Sequence, residues 1–156
     1  MKTLFLTLVL CAASLSSWAQ NIDDVFNQFK NRENATLVNL PKSLISMGLK
    51  SSNDEDAKKW ADKIESMQIL ALEDASDALK KELNAAVKKA NLGDYEDMIR
   101  ANSDGEKVRI MTKSDGKEIT SLIIFAIDEE DCAIVKIDGH INPKDVDAIV
   151  DSQTGK

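Results

Sequence analysis

The chain has 156 residues, of which 27 are acidic and 20 basic, so that its net charge is −7. This length predicts one domain. An apolar fraction of 43% supports a folded core and excludes collagen-like, low-complexity and wholly disordered chains. Because a negative surface repels phosphate backbones and anionic lipids, we expect neither nucleic acid nor a membrane surface as a partner.

The first 19 residues have the three regions of an export signal. Lys2 precedes an apolar run over 4–13, and small residues at Ser17 and Ala19 suit cleavage by a signal peptidase before Gln20. The run holds about ten residues, whereas a membrane-spanning helix needs about 20. We therefore expect a signal peptide over 1–19, a periplasmic or secreted mature chain, and no transmembrane span in that chain.

Cysteine usage fits an exported protein. Cys11 lies in the leader and follows the bulky Leu10, where a lipoprotein signal has a small residue, so lipidation is not expected. Loss of the leader leaves Cys132 as the only thiol, which excludes an internal disulfide. Since Cys132 begins an apolar run, we interpret it as a small buried core residue.

Hydrophobic periodicity predicts mainly helices in the first part of the mature chain. Asn21 is a suitable N-cap for a helix over 22–32, and Pro41 suits the first turn of a second helix that ends near Met47. Further helices are predicted over 54–66 and 74–90, with one or two helical turns around Tyr95 and Ile99. Short strands are expected at 35–40 and 67–72.

The C-terminal third has the two-residue periodicity of strands. Strands are predicted over 107–113, 118–127 and 132–138, joined by an Asp115-Gly116 turn and an acidic turn. The chain is expected to leave the sheet at Gly139, and a last helix is expected to begin at Pro143 and to run through residue 150.

These elements predict an α+β fold. The N-terminal helices would pack on one face of a sheet that contains a C-terminal three-stranded antiparallel meander, and a final short helix would follow. Residues 20–150 would form the single domain, and 151–156 a flexible tail.

No catalytic, cofactor-binding or metal-ligating residue is assigned from the sequence. His140 is the only histidine, and a zinc site needs three or four ligands of its kind, so we interpret it as solvated. Ser114 and Lys117 have the spacing of a hydrolase motif, but they fall in a hairpin turn instead of at a helix start. A hydrolase using His140 with carboxylates or with Cys132 remains a disfavoured alternative.

Two charged patterns have a structural and a functional interpretation. The acidic turn over 128–131 could hold a hard cation, yet it lacks the alternating carboxylates and central glycine of an EF-hand loop. We interpret it as a hydrated turn. Three lysine pairs lie among carboxylates at helical spacing and are interpreted as solvated helix faces: Lys58-Lys59, Lys80-Lys81 and Lys88-Lys89.

Three segments carry a resemblance to a known family: ATLVNLPK at 35–42, EKVRI at 106–110 before the Asp-Gly hairpin, and IDGHIN at 137–142. Together with the leader, they resemble a secreted domain-of-unknown-function family of Bacteroidetes (domain of unknown function 4252). The resemblance covers nearly the whole mature chain and implies no catalytic residue. It implies an envelope-sensing or regulatory role, because members of that family are often encoded near extracytoplasmic sigma-factor systems.

The sequence thus favours a non-enzymatic exported domain that binds a protein partner in an envelope regulatory or stress system. Possible contact surfaces are the second face of the meander, around Thr120, Leu122 and Ile124, or an edge strand. A domain that binds a small ligand or a cation is the alternative. The identity of the partner and the oligomeric state do not follow from the sequence.

Overall fold

The computed structural model describes residues 21–145. The expected signal peptide, most of the last predicted helix and the predicted tail lie outside the described residues. In chain order the elements are α1 (Ile22–Phe29), β1 (Ala35–Pro41), α2 (Lys42–Lys50), α3 (Glu55–Trp60), β2 (Ile64–Leu72), α4 (Asp77–Lys89), β3 (Glu96–Ser103), β4 (Glu106–Ser114), β5 (Ile119–Ile127) and β6 (Cys132–Ile141). The fold is α+β, as the sequence predicts.

All six strands form one sheet in the order β1-β2-β6-β5-β4-β3, and every neighbouring pair is antiparallel. The predicted meander of three strands, β4 to β6, is extended to four by β3. β2 pairs with the free side of β6, and β1 pairs with β2. β1 and β3 are therefore the edge strands.

The larger core lies on the first face of the sheet, between the strands and helices α1 and α4. Phe26 and Phe29 of α1 and Leu83 and Val87 of α4 are buried there against β2, β4, β5 and β6. The N-cap predicted for α1 is confirmed. The Asn21 side chain accepts a hydrogen bond from the backbone N–H of Asp24, and the Asp24 side chain accepts one from the backbone N–H of Asn21.

A second core lies on the other face, where α2 and α3 cover one end of the sheet. Ile45 of α2 and Trp60 of α3 pack with Ile64, Ile137 and Ile141 at the ends of β2 and β6. The expectation that the helices share one face is therefore wrong. The sheet is apolar on both faces, and a different pair of helices packs on each face, on the second face at one end only.

Strand pairing overrides three local predictions. The helix predicted over 54–66 ends at Trp60, because the chain from Ile64 onward pairs with β6. The helical turns expected around Tyr95 are wrong, because residues 96–103 pair with β4 as an edge strand. Gly139 does not leave the sheet: it remains in β6 opposite Ile64, where the β2–β6 register shifts.

Candidate functional site

Half of the second face of the sheet has no helix over it among residues 21–145. Its main feature is a row of six β-branched residues, one from each strand, that lie directly opposite one another in the register. The row runs Val38, Ile69, Val135, Ile124, Ile110 and Ile99. Strands are about 4.8 Å apart, so the row is about 24 Å long. Val38 at one edge is 37% exposed, whereas Ile110 is 8% exposed and belongs to the second core. The other four residues of the row are half-buried, namely Ile69, Val135, Ile124 and Ile99.

The next row on this face contains smaller side chains. In register order it consists of Thr36, Ala71, Ala133, Ala126, Val108 and Ala101. None of these twelve residues is charged. We call the two rows the open face. Each residue occupies about 4.8 Å across the strands and about 7 Å along them, so the twelve residues have a footprint of roughly 400 Å².

Carboxylates concentrate at the end of the sheet that borders the small-residue row. Four turns meet there, and their exposed acidic residues are Glu33, Glu73, Asp74, Asp104, Glu106, Asp128, Glu129, Glu130 and Asp131. We call them the acidic end. The basic residues in or beside these turns are fewer: Lys30, Arg32, Lys80 and Lys107. The open face therefore combines a flat apolar surface with a negative border.

Carboxylates of the acidic turn over 128–131 are engaged with the backbone. Asp128 accepts hydrogen bonds from the N–H groups of Asp131 and Glu130 at 2.7 and 2.8 Å, which lowers the pKa of its carboxyl group. Asp131 accepts one from the N–H of Asp74 at 3.1 Å. Within residues 21–145, no group of three His, Cys, Asp or Glu side chains is placed to hold a metal ion. These contacts favour the interpretation of this segment as a hydrated turn.

His140 and Cys132 lie near opposite ends of β6. Eight residues of strand separate their backbones by about 27 Å, so they cannot act as a catalytic pair. His140 is exposed, and its Nδ1 is 3.3 Å from Oε2 of Glu118. Cys132 is 1% exposed, and burial raises the pKa of its thiol. The interpretation of Cys132 as a buried core residue is confirmed.

Ser114 and Lys117 occupy the β4–β5 hairpin turn that the sequence predicts. The Ser114 hydroxyl donates to the carbonyl of Glu118 at 3.0 Å and accepts from the N–H of Gly116 at 3.1 Å. The Asp115 carboxylate accepts hydrogen bonds from two further N–H groups of the turn. Ser114 therefore stabilises the turn and is not presented as a nucleophile.

The contact surface suggested by the sequence is only partly available. Ile124 lies half-buried in the centre of the open face and packs against the second core, whereas Leu122 is 1% exposed and is part of that core. Sequence reasoning missed the contributions of Val38, Ile69 and Ile99, because each lies on a strand whose place in the sheet is set by long-range pairing. The signal was available in the apolar residues at alternate positions of 67–72.

Residues 21–145 form an α+β domain in which an antiparallel six-stranded sheet has helices on both faces. The chain belongs to the family described as "Domain of unknown function (DUF4252)", whose model matches residues 29–149. No curated protein and no solved structure matches the chain. Among residues 21–145, no helix has the length and apolar character needed to cross a bilayer.

Proposed function

We propose that this chain is an exported, non-catalytic domain whose open face binds a protein partner in an envelope regulatory or stress system. The observation that supports it best is the uncharged row of β-branched residues across all six strands. Burying such residues against a partner gains free energy in proportion to the apolar area removed from water. A face without charged groups also incurs little desolvation cost on binding.

The charge distribution specifies the partner's surface. A standard interface buries about 800 Å² on each side, about twice the area of the open face, so the contact must extend beyond it. The acidic end borders the open face and provides further area. We therefore propose a partner with an apolar helix or strand surface flanked by lysine or arginine side chains, which would pair with these carboxylates and speed association.

A second copy of this chain is a less suitable occupant of the open face. Each copy has a net charge of −7 and would bring its own carboxylates to the interface. α2 does add exposed apolar side chains at the other end of the same face, since Leu44 is 48% and Met47 61% exposed. These would enlarge an interface with any apolar partner.

Export and a regulatory role rest on the sequence. The leader ending at Ala19 predicts release of a chain that begins at Gln20 outside the cytoplasmic membrane. The resemblance described above implies the envelope context. A hydrolase using His140 with carboxylates or with Cys132 is not proposed. Cys132 is buried and far from His140, and the carboxylate beside His140, that of Glu118, is exposed together with it.

Site-specific photocrosslinking in intact cells tests the proposal. Benzoylphenylalanine would replace Val38 at one edge of the open face or Ala101 at the other, both of which are exposed. We expect the same protein to be crosslinked from both positions and the crosslinks to map to an apolar surface flanked by basic residues. The control places the same group at the exposed Lys81 of α4 on the opposite face, where we expect no such crosslink.

Two outcomes would refute this function. Equal crosslinking of the same protein from Val38 and from Lys81 would show that contact does not depend on the open face. Crosslinking of the chain to itself, together with a dimer in analytical ultracentrifugation, would show that a second copy covers the face.

A further inference from the structure

A concave cavity of about 380 Å³ lies on the first face, between α4 and the β3–β4 hairpin. Four of its lining residues are cationic, namely Lys88 of α4, Arg100 of β3, and Lys107 and Arg109 of β4. A protein whose net charge is −7 has no general reason to gather cations in one cavity. This concentration is local, and it lies on the face opposite the open face.

Strand register forces the basic residues together. Arg100 is directly opposite Arg109, and Asn102 directly opposite Lys107, so two neighbouring pairs on the same face contain three cations. Like charges directly opposite each other destabilise a sheet. An anion in the cavity would remove this repulsion.

Asp97 orients the two arginines but leaves most of their donors free. Arg109 donates from Nε to Oδ1 of Asp97 at 2.7 Å, and Arg100 donates from Nη2 to Oδ2 at 2.8 Å. A guanidinium has five N–H donors, and among residues 21–145 the hydrogen bonds to Asp97 use one donor of each arginine. Asp97 balances one of the four positive charges. No carboxylate of residues 21–145 lies within 4.0 Å of the charged group of Lys88 or Lys107.

The rest of the cavity wall is suited to a compact ligand. Its inner wall is formed by the almost fully buried Val87 and Phe125, and the amides of Asn84 and Asn102 add neutral donors. A volume of 380 Å³ lies in the range of small-molecule sites.

We propose that this cavity binds the phosphate group of a small molecule. A phosphate dianion has three terminal acceptor oxygens and up to two negative charges, which match the net positive charge and the arginine and amide donors. A monocarboxylate has half the charge and fewer acceptors, and should bind more weakly. This site is separate from the open face and does not depend on the proposed protein partner.

Calorimetric titration of the chain beginning at Gln20 with inorganic phosphate and pyrophosphate tests the proposal. Acetate and chloride at matched ionic strength serve as reference anions. We expect saturable binding of at least one of the two phosphate probes and weaker binding of acetate. Absence of saturable phosphate binding at millimolar concentrations, or equal binding of acetate, would overturn the proposal.

Paired substitutions locate the site. The double variant Lys88→Gln with Lys107→Gln removes two cavity cations and should weaken binding at least about tenfold, because hydrogen bonds to charged groups are the stronger class. Lys89→Gln with Lys117→Gln makes the same change of net charge at exposed positions that do not line the cavity. We expect this control double variant to bind the phosphate probe with an affinity within about twofold of wild type. Equal weakening in both double variants would refute the site, since it would indicate a general charge effect.

Discussion

Gly139 lies where β6 passes very close to the backbone between α3 and β2. A Cβ atom at this position would be 2.2 Å from the carbonyl oxygen of Lys63 and 3.1 Å from Cα of Ile64. Real Cβ contacts essentially never fall below 3.0 Å, so Gly139→Ala must separate two backbone segments by roughly 1 Å. The adjacent hydrogen bond from His140 N–H to the same Lys63 oxygen, 2.8 Å long, would also be disturbed.

The expected cost of Gly139→Ala follows from these contacts. Forcing atoms into a filled site costs about 1–3 kcal/mol, and losing one backbone hydrogen bond adds about 1 kcal/mol. We therefore expect the free energy of unfolding to fall by about 2–4 kcal/mol, and Tm by roughly 5–15 °C. Urea unfolding followed by circular dichroism, on the chain beginning at Gln20, would measure the change.

Gly48 offers a matched control for the same substitution. It lies in α2, and no atom outside its own helix would lie within 4 Å of a new Cβ. Because alanine is a better helix former than glycine, Gly48→Ala should leave stability unchanged or raise it by up to about 1 kcal/mol. If the free energy of unfolding of Gly139→Ala lies within about 0.5 kcal/mol of the wild-type value, the close approach of the two backbone segments at Gly139 is refuted.

Two further predictions concern Asp97 and Cys132. The pKa of Asp97 is lowered mainly by the hydrogen bond from Arg109 and further by the charges of Arg109 and Arg100. The ionised Asp97 carboxylate therefore stabilises the fold at pH values above its unfolded-state pKa, and this stabilisation is lost as the pH falls through its lower folded-state pKa. Since Asp97 is 38% exposed, Asp97→Asn should cost about 0.5–1 kcal/mol at pH 7 in urea unfolding, and this difference should shrink as the pH falls through the folded-state pKa. A difference that does not change with acidification would contradict this linkage. Cys132 is 1% exposed, and burial raises the pKa of its thiol. We therefore expect the thiol to react with a disulfide reagent at least about 100-fold more slowly in the folded protein than in protein unfolded by urea. Comparable rates in the two states would contradict the burial of Cys132.

Local signals in the sequence identify most of the elements. The Asn21 cap, the strand before Pro41 and the hairpin at Asp115-Gly116 are correctly predicted, because each depends on neighbouring residues only. Alternation likewise predicts β4, and the apolar run that follows the hairpin turn predicts β5. The family resemblance is confirmed by the match over residues 29–149.

Long-range pairing accounts for the errors. Residues 64–66 continue the helical pattern of α3 but pair with β6, and residues 96–103 pair with β4 despite an apolar spacing typical of a helix turn. The open face could not be predicted as a unit for the same reason. Its six central residues come from six strands, and only the complete register shows that they form one row. The basic cavity was missed because Arg100 and Arg109 become neighbours only when β3 is a strand.

The central claim is that the open face binds a partner protein, and affinity measured with the identified partner tests it most directly. Ala133 lies in the small-residue row, and Ala85 is an exposed residue of α4 on the opposite face. Isothermal titration calorimetry would compare wild type with Ala133→Lys and Ala85→Lys, after circular dichroism has shown that both variants fold. A lysine in the open face should weaken binding at least about thirtyfold, because it introduces bulk and a charge that opposes the partner's basic residues, whereas Ala85→Lys should change Kd by less than about twofold. Equal affinity of the two variants would contradict the account.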